Sequence, residues 1–538
     1  GTFDDATSTC DFAFAGARSD SAQTYTLEVR LYHKSGLAAE KKLVASGSQT
    51  VSVAGGDTSF AANVPLAPNT GDTAPKGSVG LSIKFSDTSV TSVDVQLKDS
   101  TGTDKAADYL DEGSTVTLTG GEGTIASAAD TIPAGAYTLL MTFKNGAGAV
   151  VGSRTETVNI YPTMETNSWW TNGAATDTLE VSKYNQTEFW VKGTGGKFYS
   201  EVYTAATEAK DTNVGSFAAP LATVQAAVDK INATGNTTTQ YTIYIDGKVT
   251  GDADADYSLN ENSLVSIAAE RKILFKGWTG PDTDIIDVNK SHVFGGTESG
   301  RAFCIKSAST ITLQNLSMTR MSVSSGYGGA VLINAVGANV TLLNSKITNG
   351  YSYYGGAIAV QSGELILKQS VVTQNTAYVS GGGLYANGAD ASVKIEDSEI
   401  SFNKSSANGS CGGGVFVDTS ATVNFLSGII GGDEADKGNT SLGKGGGVYI
   451  EDSGKFYMSG SARISGNNGS SGGGVYIQNG VFCMADSAIV GAEPSGLTEA
   501  AQADDTKHSN KAERGGGIYT SKPSFLFIGY KNETTPDP

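Results

Sequence analysis

The sequence has few of the residues that mark disulfide frameworks, metal centres and membrane spans. It contains four cysteines and three histidines in 538 residues. Cys10, Cys304, Cys411 and Cys483 are far apart and form no C-x-x-C pair, so neither a disulfide framework nor a cysteine metal site is predicted. No apolar run reaches membrane-spanning length, and no signal peptide is visible. Because the chain begins at Gly1 without Met, we expect a processed or trimmed chain.

Charge is also scarce and mostly of one sign. Only 17% of the residues are charged, and the net charge is −18. An acidic surface disfavours long-range attraction to nucleic acid or anionic membranes and favours solubility. We therefore predict no nucleic-acid partner and no membrane-spanning segment. Glycine is abundant, with 69 residues, and this composition suits extended β architecture with many turns.

A short glycine phrase returns seven times between residues 328 and 518. Each copy reads G-G-A or G-G-G followed by Val, Ile or Leu, and the copies are 27, 26, 31, 33, 27 and 43 residues apart. A unit of about 27 residues that repeats with insertions is typical of a solenoid. We expect the glycines to supply a positive φ or a close backbone approach at one corner. The first glycines are Gly328, Gly355, Gly381, Gly412, Gly445, Gly472 and Gly515.

Each unit contains short runs of alternating apolar residues separated by Gly, Ser, Asp and Asn. This alternation predicts strands and turns without a helix between them. A unit of about 27 residues suits one coil of three short strands in a right-handed, single-stranded parallel β-helix. The predicted inward residues are Val340, Leu342, Leu365, Leu367, Val393, Ile395, Val423, Phe425, Phe456, Met458, Phe482 and Met484 on the second strand and Ile347, Ile400 and Ile464 on the third.

An asparagine lies five or six residues before the glycines in five units and nine residues before them in a sixth. A side-chain amide repeated at one corner can hydrogen-bond to the coils above and below. The predicted asparagine ladder consists of Asn349, Asn375, Asn403, Asn439, Asn467 and Asn510.

Extra length falls mainly between the third strand and the asparagine, in segments 430–438, 490–509 and 404–411. Loops on a rigid scaffold commonly carry binding residues, so these insertions are candidate contact loops. The alternative, solvated length variants without a partner, is equally open. The candidate contact residues are Asp433, Glu434, Asp436, Asp504, Asp505 and His508.

Residues 1–163 predict strands and contain a fainter repeat. Segments 25–53 and 137–160 each have a strand led by Tyr, a Lys-x-Gly turn and a final strand. This order is typical of the closing half of an immunoglobulin-like (Ig-like) sandwich. We predict a partial or atypical Ig-like β module at residues 1–70, which would need a strand from elsewhere, and a full Ig-like sandwich at 71–163.

Residues 164–212 are predicted as a linker with the first strands of the solenoid, and residues 213–530 as the solenoid itself, followed by a tail at 531–538. Trp169 and Trp170 in the linker are candidate contact residues. They could form a sugar-stacking platform, but packing between domains is favoured because aromatic area at junctions is usually buried.

A capping helix is predicted at about residues 220–233. Val224, Ala227, Val228 and Ile231 recur at helical spacing there. A stacked core needs its open end covered, because a bare terminal coil exposes apolar side chains and unpaired strand edges.

Two stretches resemble known families. GSFAAPLATVQAAVDKIN followed by YTIYIDGKVTG resembles the opening of pectate-lyase-like right-handed β-helices, a superfamily of adhesins and polysaccharide-processing enzymes. The glycine phrases with a nearby asparagine resemble the repeats of chlamydial polymorphic outer membrane proteins and of glycine-rich spirochaetal surface proteins. The strict F-x-x-N motif of the chlamydial family is missing, and Ser401-Phe402-Asn403 is its nearest match. The resemblance covers about residues 185–530 and implies an adhesin-like role at a bacterial surface, extracellular or associated with the outer membrane.

Three functions remain open. The first is a non-catalytic adhesin that binds a protein or glycan at a cell surface. The second is a self-assembling subunit of an extracellular filament or coat, which binds copies of itself. The third is a polysaccharide lyase or hydrolase, which needs clustered acidic residues.

The acidic residues give little support to the enzyme. Glu396-Asp397, Glu451-Asp452 and Asp486 are predicted to form a ladder of solvent-facing residues at one turn of different coils. Asp252, Asp254 and Asp256 have the start of a calcium-loop spacing, without the glycine and glutamate that complete it. We predict no cofactor, with calcium as the alternative.

Overall fold

The computed structural model describes residues 2–4, 9–11, 23–33, 42–53, 67–68, 75–85, 89–171, 174–181, 186–251, 263–290, 299–432, 437–491, 509–521 and 525–530. In these ranges the protein is all-β, as predicted. The chain divides into two compact units, Gly1–Asn185 and Gln186–Pro538. The division falls inside the segment predicted as a linker. Within the described ranges no helix is long and apolar enough to cross a membrane.

The N-terminal unit contains two sheets that share one core. In the first sheet, Lys76–Phe85 pairs antiparallel with Glu122–Ala126 and Ile132–Pro133, and parallel with Glu165–Thr166 and Thr178–Val181. The second sheet is antiparallel and has the order Val150–Ile160, Gly135–Asn145, Val90–Lys98 and Thr115–Thr117. Alternate residues of both sheets face each other, so the apolar side chains meet between them. The cluster includes Val79, Leu81, Ile83, Val93, Val95, Leu97, Leu139 and Met141.

The N-terminal unit also contains smaller elements. Their bounds are Thr2–Asp4 with Thr9–Asp11, Gln23–His33 with Lys42–Val53 and Ala67–Pro68, Trp169–Thr171 with Ala174–Thr176, and the short helix Ala106–Tyr109. The two segments of the fainter repeat both form antiparallel hairpins. Each hairpin has a register shift at the same place in its first strand, after Leu31 and after Phe143.

The C-terminal unit consists of three columns of parallel strands, here called A, B and C in the order in which the chain visits them. Column A contains Ser263–Ile267, Ser299–Ile305, the starts of Val331–Leu343 and Ile358–Lys368, Leu384–Asn387, Val415–Asp418, Val448–Glu451, Val475–Gln478 and Ile518–Thr520.

Column B contains Glu188–Lys192, Gln240–Asp246, Lys272–Gly277, Thr310–Gln314, the ends of Val331–Leu343 and Ile358–Lys368, Ala391–Glu396, the starts of Thr422–Gly431 and Lys455–Ser465, Val481–Ala485 and Phe525–Tyr530. Each strand pairs with its counterpart one coil away, because the chain returns to the same column once per repeat.

Column C contains Lys248–Thr250, Ile285–Asp287, the starts of Ser317–Tyr327 and Lys346–Tyr354, Val371–Thr373, Ser398–Ser401, the ends of Thr422–Gly431 and Lys455–Ser465, and Ile489–Val490. Short strands follow column C at Thr376–Ser380, Lys404–Ser405 and Thr440–Ser441.

One apolar cluster runs through the C-terminal unit, and it contains all the predicted inward residues, with Met484 at its margin. The helix Val224–Ala233 lies beside the first coils and packs its buried side chains into the same cluster. Its first turn is capped by the Thr223 side chain, which accepts a hydrogen bond from the Ala226 N–H at 3.2 Å. The Arg271 guanidinium donates to the Asn232 carbonyl near the other end of the helix at 2.9 Å. A π-helical turn, Phe198–Val202, precedes this helix.

Candidate functional site

The glycine corner is fixed by backbone geometry. The first glycine of all seven phrases has a positive φ, between 58° and 68°. Residues other than glycine rarely adopt this conformation without strain. The backbone also passes close to itself there. A Cβ at Gly472 would lie 2.5 Å from the Val475 carbonyl oxygen. Both demands recur in every coil, so the phrase marks the corner.

The asparagine ladder lies beside the glycine corner and is buried. The Asn439 Oδ1 accepts hydrogen bonds from the Asn403 N–H at 2.9 Å and from the Asn403 Nδ2 at 3.0 Å, one coil earlier. The Asn439 Nδ2 donates to the Ile400 carbonyl at 2.7 Å and to the Asn467 Oδ1 at 2.9 Å. The same pattern links Asn375, Asn403, Asn439, Asn467 and Asn510. Each amide therefore satisfies backbone groups that column pairing leaves free.

Asn349 does not belong to this ladder, so its predicted place there is wrong, although its Nδ2 lies 3.4 Å from Thr319 Oγ1 one coil earlier. Its side chain is exposed, and Gly350 occupies the ladder position, where its N–H donates to the Asn375 Oδ1 at 2.8 Å. Asn349 has φ +56°, as do its counterparts Gln374 and Phe402 at +59° and +53°. The residue before the ladder takes a left-handed conformation, which asparagine tolerates well.

A stack of aromatic rings, which the sequence analysis missed, runs along the outer side of column A. Five of its rings lie four residues after the first glycine of a phrase, and Tyr327 and Tyr354 precede two phrases directly. Neighbouring ring centroids are 5.0–5.3 Å apart. The rings cover one another's faces, so those faces are not free to stack on a sugar ring. The stack contains Tyr327, Tyr354, Tyr385, Phe416, Tyr449, Tyr476 and Tyr519.

Polar groups border the aromatic stack. The Asn387 Nδ2 donates to the Tyr385 hydroxyl at 2.7 Å, and that hydroxyl also lies 3.3 Å from Asp418 Oδ2. The Lys444 Nζ lies 4.9 Å from the centre of the Tyr476 ring, within the range of a cation–π contact. Burial raises the pKa of Tyr385 and Tyr449 well above the usual range of tyrosine, so both hydroxyls keep their protons. The hydroxyls of Tyr385 and Tyr449 are therefore neutral hydrogen-bonding groups at the edge of the stack.

Three buried aspartates, Asp246, Asp284 and Asp287, lie in the first coils. Other residues of the protein hydrogen-bond to the carboxylate of each. Asp246 accepts hydrogen bonds from the Phe198 and Tyr199 N–H groups at 3.0 and 3.1 Å. Asp284 accepts one from the Gly247 N–H at 2.8 Å. Burial raises the pKa of both carboxyls, although these hydrogen bonds oppose the change. Their oxygens are used by the turns, which indicates a structural role.

Asp287 forms an ion triad that crosses three coils of column C. Its side chain is fully buried and contacts Arg320 and the Lys248 Nζ, the latter at 2.7 Å. Burial alone would raise the pKa of Asp287, but the hydrogen bonds from Arg320 and Lys248 outweigh it and hold the pKa below its ordinary value. No group of three or more His, Cys, Asp or Glu that could hold a metal ion occurs among the described residues.

The predicted ladder of acidic residues is wrong for Glu451 and Asp452, whereas Glu396-Asp397 and Asp486 do share one turn. Glu451 and Asp452 lie at the turn between columns A and B, where Glu451 pairs with Gln478. Asp397 and Asp486 lie at the turn between columns B and C instead. The acidic residues lie at two different corners, so their carboxylates form no single row. The alternation of apolar residues does not distinguish these corners.

Trp169 is buried, as the favoured packing interpretation expects, so its assignment as a candidate contact residue is wrong. It is only 4% exposed, and its indole N–H donates to the Ser82 carbonyl at 2.7 Å in the core of the N-terminal unit. Trp170 lies in the same strand, Trp169–Thr171. The remaining candidates, Asp252, Asp254, Asp256, Asp433, Glu434, Asp436, Asp504, Asp505 and His508, lie outside the described residues.

The described ends of the two largest insertions meet at one rung. The Gly432 N–H, before residues 433–436, donates to the Ser465 carbonyl at 3.1 Å, and the Gly491 N–H, before residues 492–508, donates to the Ile464 carbonyl at 2.9 Å. Ile464 and Ser465 belong to the coil between the two insertions. Gly432 and Gly491, the described residues that precede the two insertions, therefore lie at the same corner, on opposite sides of one coil.

Comparisons with known proteins give no family. No family model matches the chain, and no curated protein matches it. Among solved structures, a leucine-rich repeat protein from Bacteroides thetaiotaomicron VPI-5482 is 11% identical, with 95% of this chain and 91% of that chain covered and a TM-score of 0.12. A likeness at that score carries no argument about fold or function.

Proposed function

We propose that the C-terminal unit is a right-handed parallel β-helix of the pectate-lyase-like type. Three columns of parallel strands, one shared apolar core and a helix that packs on the first coils support this assignment. We also propose that the two-sheet core of the N-terminal unit is an Ig-like sandwich. In support, the Tyr137 hydroxyl donates to the Pro133 carbonyl at 2.9 Å, as in the tyrosine corner of Ig-like domains.

We infer that the protein is a non-catalytic adhesin at a bacterial surface, similar in role to chlamydial polymorphic outer membrane proteins. The β-helix acts as a rigid rod, and the insertions at one corner contact a protein or glycan on another cell. The observation that carries this inference is that Gly432 and Gly491, which directly precede residues 433–436 and 492–508, both hydrogen-bond to the rung that contains Ile464 and Ser465. Loops on a rigid scaffold commonly carry binding residues.

Charge narrows the class of partner. Residues 433–436 contain Asp433, Glu434 and Asp436, and residues 492–508 contain four further acidic residues. Acidic groups concentrated at one corner attract a basic surface and repel an acidic one. The proposed partner is therefore a basic protein patch or a glycan that carries amino groups.

The test is binding of the full chain to intact host cells and to a glycan panel that includes amino sugars. Replacing Asp433, Glu434, Asp436, Asp504 and Asp505 by Ser should reduce binding about tenfold or more, since several charge contacts are lost together. A matched control replaces five exposed acidic residues elsewhere, Asp177, Glu201, Glu208, Asp229 and Asp390, by Ser and should bind as the parent does. Equal binding by both variants would refute the proposal.

The alternative function, a polysaccharide lyase or hydrolase, would release sugar products, which an adhesin does not. Incubation with a panel of polysaccharides, with and without calcium, should release no shortened or unsaturated sugars. Product release that disappears in Asp504→Asn or Asp505→Asn would replace the adhesin proposal with a lyase or hydrolase.

A further inference from the structure

Two tyrosines outside the aromatic stack lie at the corner where the chain passes from column C to column A. The Tyr353 ring centroid is 5.2 Å from that of Tyr378, one coil later, and 5.2 Å from that of Tyr354 in the stack. The ring planes are inclined by 42° and 65°, so these contacts cover less of each ring face than parallel stacking does. Tyr353 and Tyr378, here called the tyrosine patch, are partly exposed.

The insertion at residues 404–411 lies beside the tyrosine patch. The Ala407 N–H donates to the Tyr378 carbonyl at 2.8 Å, so the loop is attached to the strand Thr376–Ser380 that carries this tyrosine. Asn408 follows Ala407 directly and is exposed. The corner therefore combines aromatic rings with a side-chain amide, a combination that is common in sites for small polar ligands.

The same loop contains two buried hydroxyls that make no hydrogen bond. Ser405 and Ser410 are 0% and 3% exposed, and within the part of the chain that the structure describes neither Oγ has a partner. Burying a hydroxyl without a partner is unfavourable. A ligand with several hydroxyl groups can supply partners when the loop shifts to admit it, so this loop favours a ligand rich in hydroxyls.

The corner is nearly free of charge. The chain passes it at residues 350–356, 376–382 and 404–412, and these segments contain one charged residue, Lys404. A multiply charged ligand would lose hydration there without gaining opposite charges. A neutral sugar has apolar ring faces that pack on aromatic rings and hydroxyls that bond to amides and hydroxyls.

The size of the surface favours a glycan over a protein. Two rings and one loop are far fewer residues than the about 20–30 that each side of a stable protein interface uses. A short run of sugar units needs only a few ring contacts and hydrogen bonds, and these are the groups present here.

We propose that the tyrosine patch and residues 404–411 bind a neutral glycan. Sugar rings pack on Tyr353 and Tyr378, and sugar hydroxyls bond to Asn408 and to the two serine hydroxyls of the loop. The site precedes both acidic insertions along the solenoid and takes a ligand of different charge. It does not depend on the adhesin function, because free oligosaccharides are sufficient to detect it.

The test is titration calorimetry of the full chain with neutral hexaoses of β-1,4-linked glucose, mannose and xylose and of α-1,4-linked glucose. Binding of at least one hexaose is expected, with a Kd of about 10 µM to 1 mM. The hexaoses of galacturonic acid and of glucosamine should bind at least tenfold more weakly, because the corner offers them almost no opposite charge. Addition of the neutral hexaose should also change the hydrogen exchange of residues 404–411.

Substitutions locate the site. Tyr353→Ala and Tyr378→Ala should each weaken binding about tenfold or more, because each removes an aromatic face, whereas Tyr378→Phe keeps the ring and most of the affinity. The matched control Tyr457→Ala removes a partly exposed tyrosine of column B and should bind as the parent does. Unchanged hydrogen exchange of the N-terminal unit and of the strand Lys455–Ser465 shows that each variant is folded.

Several outcomes would overturn the proposal: no binding of any neutral hexaose, equal binding by Tyr353→Ala, Tyr378→Ala and Tyr457→Ala, or tighter binding of a charged hexaose. Host-cell binding that Tyr378→Ala abolishes, in a chain that binds no hexaose, would assign the patch to a protein partner instead. The variant that lacks five acidic residues of the insertions should bind the hexaose as the parent does, so failure of this proposal is distinguishable from failure of the adhesin proposal.

Discussion

Replacing Asn439 by Ala should weaken the solenoid at its centre. The substitution removes an Oδ1 that accepts two hydrogen bonds from Asn403 and an Nδ2 that donates to the Ile400 carbonyl. The Asn403 N–H and the Ile400 carbonyl then lose their partners from this side chain in a site that solvent does not reach. Column pairing cannot replace these bonds, because the ladder lies at a corner between strands.

The magnitude follows from the groups left unpaired. A buried polar group without a partner costs about 1–3 kcal/mol. Two orphaned backbone groups and one amide hydrogen of Asn403, partly relieved by relaxation, give an expected loss of about 3–5 kcal/mol. The exposed Asn349→Ala serves as the control and should cost only about 1–2 kcal/mol, the strain of alanine at the left-handed φ of +56° that Asn349 adopts.

Hydrogen exchange measured by mass spectrometry is the suitable assay, because a long repeat array does not unfold in two states. Peptides that contain Asn403 and Asn439 should lose protection, while the N-terminal unit should not change. Asn439→Asp adds a pH test. Its carboxylate would face two acceptors, the Ile400 carbonyl and the Asn467 Oδ1, so burial and repulsion should raise its pKa and its penalty should grow as the pH rises. Equal protection in Asn439→Ala and Asn349→Ala would refute the role assigned to the ladder.

Three further substitutions test other parts of the structure. Asp287→Asn should cost about 1.5–3 kcal/mol at neutral pH, measured as lost hydrogen-exchange protection in the peptides that contain Lys248, Asp287 and Arg320. Because the pKa of Asp287 is lowered, this difference should persist above the carboxyl's unfolded pKa and vanish as the pH falls through the folded value. A difference that does not depend on pH would contradict the triad. Gly472→Ala combines left-handed strain of about 1–2 kcal/mol with a clash against the Val475 carbonyl oxygen. Gly409→Ala brings the strain alone, because Gly409 has a φ of 77° and open space where a Cβ would lie. Equal melting temperatures of the two variants would contradict the close approach of the backbone at Gly472. Trp169→Ala should destabilise the N-terminal unit by about 3–5 kcal/mol without changing glycan binding, and loss of binding with unchanged stability would restore the sugar-platform interpretation.

The inward residues could be predicted because alternation has a period of two and a solenoid repeats it. Val423 and Phe425 in one coil lie beside Phe456 and Met458 in the next, as their places after the glycines indicate. The glycine corner could also be predicted, since one conformation recurs at every copy of the phrase.

The register of the ladder was harder to predict, because the spacing to the glycines ranges from five to nine residues and does not identify the ladder position. Asn349 lies six residues before Gly355, as Asn375 lies six before Gly381, yet only Asn375 points inward. Counting from the third strand separates them: Asn375 lies three residues after Val372, whereas the third residue after Ile347 is Gly350. The spacing from the third strand, rather than the spacing to the glycine corner, therefore identifies the ladder position.

The aromatic stack and the two acidic corners could not be predicted from the alternation of inward residues. Tyr385 and Phe416 occupy the same outward place in successive coils, which the pattern of inward residues does not address. The burial of Trp169 was favoured, but its partner could not be predicted, because Ser82 lies 87 residues earlier in the chain. Contacts between distant segments of a sandwich leave no local periodicity.

Because each coil contacts only its neighbouring coils, the resistance of the solenoid to force depends on the direction of pulling. A force applied at the C-terminus would peel the solenoid coil by coil, and each coil of about 27 residues would release roughly 90 Å of chain at about 3.3 Å per residue. The asparagine ladder spans Asn375 to Asn510, so the final coils to detach would be those that lack it. Such a rod would yield to shear flow in steps rather than in a single rupture.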